Sequence, residues 1–285
     1  MPDAWPANRR FVVPLAALLF ASLPLSAPQS ARAQSPPPGS SAAGTVPDSP
    51  ASGVPEKVPA TAEAINPPGS PVIVVGFVGG YVRHDDAVHS VVQVARRLTK
   101  TYPEEAAVTV MVYENHHGQE AHGEILRLLD AGHDGAPTAE EKKAARIVIF
   151  GHSWGASETV TLARRLESEG IPVLLTIQVD SVSKRGEDDG TIPGNVAEAA
   201  NFYQLDGFIH GRREIRAEDP AKTQILGNYH FAYKEHPVTC NSPYPWYSRV
   251  FMKAHTEIEC DPTVWDKVES LIRSKLPKPA GTPAS

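Results

Sequence analysis

The sequence predicts an α/β domain with a mostly parallel central sheet flanked by helices. Short β-branched runs alternate with segments whose apolar residues recur at helical spacing, the pattern of βαβ units. The runs at residues 72–76 and 172–179 are almost wholly apolar, as expected of strands buried on both faces. Residues 146–150 (RIVIF) lead straight into Gly151-His152-Ser153-Trp154-Gly155 and then a helical pattern. That is the sequence form of a sharp strand-to-helix turn that lifts a serine hydroxyl out of the backbone.

The first strand is expected over residues 72–76, followed by a flexible loop over 76–80. Asp85 and Asp86 can cap a helix whose apolar residues Val88, Val91, Val92, Ala95 and Leu98 share one face. Residues 108–113 read as the second strand, and a helix carrying Ile125, Leu126 and Leu129 follows, ending near Gly132. The third strand, the turn at Ser153 and a helix from Ala156 to about Ser168 come next, closed by Gly170. The fourth strand is residues 172–179. Past Asp180 regularity weakens: residues 196–203 read as a strand, and 208–215 with 224–231 as a hairpin or two short strands. Asp261 as cap and Pro262 at the first helical position open a last helix, with Val264, Val268, Leu271 and Ile272 as its apolar stripe. Across residues 72–276 this order of elements resembles the α/β-hydrolase fold.

The first seventy residues do not belong to that domain. Arg9 and Arg10 precede an apolar stretch broken by Pro14 and Pro24, and Ala31-Arg32-Ala33 supplies a cleavage site, so residues 1–33 are expected to be a secretory signal peptide. The run is short and irregular for a membrane span; whether the leader is cleaved or kept as an anchor is left open. Residues 34–70 are rich in Pro, Ser and Ala, and fifteen of the 27 prolines lie in the first 71 residues. With so few large apolar groups, this segment is expected to be a disordered linker. The α/β domain then spans 71–277 and a flexible tail 278–285. A net charge of −6, with no basic stripe, argues against a nucleic-acid partner. No stable membrane span is expected after cleavage, and the location is secreted or periplasmic.

A serine hydroxyl needs a histidine base, and the base needs an acid to orient it. In the α/β-hydrolase fold the acid and then the histidine follow the serine in sequence. His255 is the favoured base, in what reads as a loop just before the final helix. His210 and His230 fall in expected strands, and His236 lies in an irregular stretch. Two acids compete. Asp180 ends the fourth strand and Asp206 follows the next; a carboxylate at the C-terminal tip of a parallel strand faces the ligand-binding edge. Beside Gly207, Asp206 is equally explained as turn chemistry. Gly-His-Ser153-Trp-Gly, Val179-Asp180-Ser181-Val182, Ile192-Pro-Gly-Asn-Val196, Asn201-Phe-Tyr-Gln204 and Ala254-His255-Thr-Glu-Ile258 with Asp261-Pro262 are together similar to bacterial lipase-like or thioesterase-like α/β-hydrolases. That resemblance implies Asp180 and His255 as partners of Ser153; in the group a proline commonly follows the aspartate, where this chain has Ser181. The backbone N–H of Trp154 is the expected first oxyanion donor, and Phe77 or Val78 the second.

The histidine clusters around His84 and His89, and around His116, His117 and His122, lack the spacing that sets two imidazoles on one helical face, so no metal is expected. Tyr81, Tyr203, Tyr244, Trp246 and Tyr247 are candidate pocket walls. Cys240 and Cys260, the only cysteines, are expected to form a disulfide in an oxidising compartment. The expectation is thus an exported serine hydrolase acting on a small-molecule or lipid ester or thioester through Ser153, His255 and Asp180, with no cofactor. Acyltransfer or amidase chemistry with the same triad, or a non-catalytic binding protein of the cell envelope, are the alternatives.

Overall fold

A computed structural model describes residues 71–103, 106–240, 244, 250 and 252–278. Residues 1–70, where the leader and linker are expected, the last seven residues, Trp246 and Tyr247 lie outside the described residues. Strands β1 (Val72–Val78), β2 (Val108–Glu114), β3 (Arg146–His152), β4 (Val173–Val179), β6 (Val196–Tyr203) and β8 (Gln224–His230) form one six-stranded sheet. Its order is β2-β1-β3-β4-β6-β8 and every described pairing is parallel. Two-residue strands β5 (Thr191–Ile192) and β7 (Arg216–Ala217) pair apart from it.

Strand alternation divides the apolar residues between two cores. Val72, Val74, Val148 and Phe150 face α1 (Ser90–Thr101) and α6 (Pro262–Arg273), where they pack with Val91, Leu98, Val264 and Trp265. Ile73, Val75, Phe77, Ile147 and Ile149 point the other way, toward α2 (Gly118–Leu129) and α4 (Trp154–Ser168), and pack with Ile125, Leu162 and Leu166. Helices on both faces leave β1, β3 and β4 no solvated side, which is why their sequences read as unbroken apolar runs. The chain runs from β1 outward to β2, then returns to lay β3 on the opposite side of β1. Such a reversal opens a crevice at the carboxyl ends of the two central strands; β1 ends there at Val78 and β3 at His152, next to Ser153.

Four expectations are corrected. The expected loop at 76–80 begins two residues later, because Phe77 and Val78 pair with Tyr113 and Glu114, and Phe77 also with Gly151; pairing on both sides outweighs the neighbouring glycine. Helix α1 starts at Ser90 without a cap from Asp85 or Asp86. Asp86 accepts from Val88 N–H in a separate turn, and the Ser90 N–H is taken by Glu259 from the far end of the chain. Residues 208–215 contain no strand, so there is no hairpin and His210 lies in a loop. Side chains take the backbone bonds there: Gln204 Oε1 accepts from Asp206 and Gly207, and Asn228 Oδ1 from Ile215. Finally, the loop expected around His255 is helix α5 (Lys253–Cys260). Ala254 and Ile258, one turn apart, anchor it in the core, and Asp261 ends it while capping α6 through Thr263 N–H at 2.8 Å. Packing makes this short helix stable where length and propensity do not. Helix α3 (Ala139–Lys143) went unread, although Thr138 and Glu141 form a capping box visible in the sequence.

Candidate active site

Ser153 sits between β3 and α4 with φ 57° and ψ −123°, a region that costs an ordinary residue about 1–3 kcal/mol. The surroundings impose it. A Cβ on Gly151 would strike the Gly155 carbonyl, and one on Gly155 the carbonyls of Phe77 and Val78. Only glycines let strand, turn and helix approach this closely, and the turn therefore pushes the Ser153 side chain out at the crevice. Ser153 N–H donates to Val179 O at 2.9 Å, tying the turn to the end of β4.

One residue beyond that point, Asp180 also has a positive φ, 45°. Its carboxylate is fully buried and surrounded by donors. Gln204 N–H and Gly211 N–H donate to Oδ1 at 3.2 and 2.6 Å, and Gln204 Nε2 donates to Oδ2 at 2.8 Å. These bonds supply donors to a carboxylate that water cannot reach. The remaining donor on Oδ2 is His255 Nδ1 at 2.6 Å, and His255 Nε2 lies 3.0 Å from Ser153 Oγ. A carboxylate only accepts, so Nδ1 carries the hydrogen and the Nε2 lone pair faces the Ser153 hydroxyl. Ser153, His255 and Asp180 thus come from β3–α4, α5 and the end of β4, and are joined by two hydrogen bonds.

Asp206 is elsewhere. Its carboxylate accepts from Lys234 N–H at 2.9 Å and lies 3.8 Å from Lys234 Nζ, so it ties the loop after β6 to the segment after β8. Ser181, standing where the similar group has proline, donates to Asp189 Oδ2 at 2.5 Å. Asp189 is buried and also receives Ser183 Oγ and, at 2.6 Å, Arg212 Nε. Hydrogen bonds to one buried carboxylate thereby stiffen the turn after Asp180. Sequence reasoning named Gln204 only within a motif and missed Gly211, the other donor to Asp180, and Asp189, the partner of Ser181.

A cavity of about 490 Å³ opens over Ser153, lined by Gly79, Tyr81, Val182, Ile209, Tyr244 and Met252 among others. Trp154 is part of the wall, with the Tyr81 ring edge-on at 5.8 Å between centroids. As the first residue of α4, Trp154 presents one of the N–H groups that a helix start leaves unpaired. Phe77 and Val78 are buried inside β1 and do not line the cavity; Gly79 and Gly80 do. A Cβ on Gly79 would lie 2.8 Å from that of Ser153, so the turn after β1 passes close beside the serine. Among the candidate pocket aromatics, Tyr81 and Tyr244 line the cavity and Tyr203 stacks on His230 instead. Of the histidine clusters, His84 and His117 turn to Glu114 at 2.8 and 3.1 Å. Partial burial opposes the charge on Glu114, but the His84 amide and ring outweigh it and hold the carboxyl at about 2.

Helix α5 is fixed from behind by a disulfide between Cys240 and Cys260, twenty residues apart. Closing a loop of that length stabilises the fold by about 3 kcal/mol in the chain-entropy model. Reduction, or Cys240→Ser with Cys260→Ser, is therefore expected to lower the melting temperature by roughly 6–12 °C. Thermal unfolding with and without reductant measures it; an unchanged transition would remove the tether.

No protein-family model matches the chain, and no curated protein matches it in sequence. Among solved structures it is similar to an acetyl xylan esterase (11% identity, 73% of this chain and 100% of that one, TM-score 0.34). It is also similar to an arylesterase (11%, 73% and 78%, TM-score 0.40) and to a cutinase-like protein from Cryptococcus sp. (12%, 72% and 94%, TM-score 0.35). Likeness at this level assigns no substrate and no residue. The strand order, the reversal beside β1 and the strained serine turn after β3 are features of the chain itself, and they give it an α/β-hydrolase fold.

Proposed function

We propose that the domain is a serine hydrolase cleaving a carboxylic ester or thioester through an acyl-enzyme. The observation that carries this reading is the chain of hydrogen bonds Asp180–His255–Ser153, at 2.6 and 3.0 Å, opening on an apolar cavity. Ser153 Oγ attacks the acyl carbon while His255 Nε2 takes its proton. Asp180 holds the ring in the tautomer that can accept and steadies the imidazolium that forms. The Trp154 N–H and an amide of the turn at Gly79 and Gly80, in place of Phe77 or Val78, stabilise the oxyanion. When the tetrahedral adduct collapses, Nε2 returns the proton to the departing alcohol or thiol. Water then enters, loses a proton to Nε2 and attacks the acyl-enzyme; release of the acid restores the Ser153 hydroxyl.

The same proposal includes export: a leader over 1–33, a linker over 34–70 and the catalytic domain over 71–277. The disulfide suits an oxidising compartment. Among the described residues no helix is long and apolar enough to cross a membrane.

Incubation of the purified domain with a fluorophosphonate probe tests the chemistry. One label per chain on Ser153, absent after Ser153→Ala, is the expected result. A folded domain that takes no label would leave the fold as a binding scaffold and overturn the hydrolase reading.

A further inference from the structure

A buried acidic residue that the proposed reaction does not use stands on the wall of the same cavity, one helical turn beyond the histidine. Glu259 follows His255 by one turn of α5, so both side chains leave the same face of the helix. It is 2% exposed. Its Oε1 accepts from Ser90 N–H at 3.1 Å and faces His89 Nδ1 at 3.1 Å. Its Oε2 contacts His152 Nδ1. Ser90 Oγ donates to the Glu259 backbone carbonyl at 2.6 Å. A single side chain thus clasps the start of α1, the end of β3 and helix α5.

His152 is the residue before Ser153, and its ring lies on that of His255, with centroids 4.7 Å apart and planes 30° from parallel. Asp180 and Ser153 hold the His255 ring at its two nitrogens, in its plane. Those two bonds and the covalent link to α5 set the place of the ring, and a neighbour packed on its face further limits the tilt of its plane. His152 is that neighbour, and Glu259 sets the orientation of His152. Resting on the hydrolase reading, we propose that Glu259 is a positioning residue that acts through His152 to keep the His255 ring aligned between Asp180 and Ser153.

The charge state suits the task. Burial opposes ionisation of Glu259, but His152 and His89 outweigh it and hold the carboxyl well below the usual range. On His89, burial also opposes the charge, while Glu259 and Asp86 favour it and the net direction is upward. The other titratable groups facing the cluster are Asp86, 4.0 Å from His89, and Tyr244, whose ring meets His89 edge-on at 5.5 Å. A carboxylate kept ionised offers His152 Nδ1 an acceptor at either oxygen, where a neutral acid would turn one oxygen into a donor.

Glu259→Gln keeps the shape and removes the charge. Expected are a fall in kcat of about 10- to 100-fold with KM little changed, and a displaced acid limb of the pH–rate profile. The fluorophosphonate end point stays at one label per chain, reached more slowly. His152→Phe keeps a flat ring on His255 but cannot bond Glu259, so adding Glu259→Gln to it lowers kcat little further. A folded Glu259→Gln enzyme with kcat within twofold of wild type and an unmoved acid limb overturns the proposal. So does a full second loss in the double variant. If Glu259→Gln does not fold, His152→Phe decides alone, since it leaves the Ser90 and His89 contacts in place; an unchanged kcat and pH limb would then overturn it. Failure of the hydrolase reading is distinguishable, because wild-type protein itself would take no label.

Discussion

Ser153→Ala and His255→Ala are each expected to lower kcat by about 10⁶-fold, and the double variant to be no slower than either single one. The reason is that the hydroxyl and the imidazole act as one unit. Without His255 Nε2 at 3.0 Å the hydroxyl keeps its proton, and without the hydroxyl the base has nothing to activate except water. A residual rate of roughly 10³- to 10⁴-fold over the uncatalysed reaction should remain, supplied by substrate binding and the oxyanion donors. Steady-state turnover of short p-nitrophenyl esters, with residual rates corrected for contaminating activity, measures all three variants. Independent, additive losses would mean that the two side chains do not act together, and the proposed mechanism would fall.

Asp180→Asn is expected to lower kcat by about 10⁴-fold, and Asp206→Asn by no more than a few-fold. An asparagine at 180 can still fill the buried site, but it places an NH₂ or a neutral oxygen where an anion accepted from His255 Nδ1, Gly211 N–H and Gln204. If the NH₂ turns to His255, the ring must adopt the other tautomer, with Nε2 protonated and useless as a base. Asp206, by contrast, holds Lys234 and has no contact with the histidine; its loss should lower thermal stability slightly and leave the pH–rate profile intact. The reverse pattern, with Asp206→Asn inactive and Asp180→Asn active, would transfer the acid's role.

The legible parts of this protein are those set by neighbours in sequence. The serine turn could be read because its parts are five consecutive residues between a strand and a helix, although one of its glycines, Gly155, is demanded by the distant β1. β3, β4 and β6 were readable to within two residues, since burial on both faces or alternation shows in composition alone. The order of serine, acid and histidine narrowed the candidates to Asp180 or Asp206 and to His255, and two cysteines allow one pairing. Where side chains replace backbone bonds, as Gln204 and Asn228 do around residues 206–215, the pattern is lost. Helix α5 was unreadable for another reason: eight residues with modest helix propensity fold only against the core.

The sequence alone determined the α/β class, the strand-to-helix turn at Ser153 and a short list of candidate partners, because each rests on local periodicity or on chain order. Only the tertiary structure sets Asp180, and not Asp206, against His255, with further donors to its carboxylate from residues 24 and 31 positions away. It alone places Gly79 and Gly80, and not Phe77 or Val78, on the cavity wall. It alone brings Glu259 against His152, with a contact reaching 169 residues back to Ser90. Side chains so distant along the chain meet only when the sheet and its helices bring them together, so no window of sequence can show that they do.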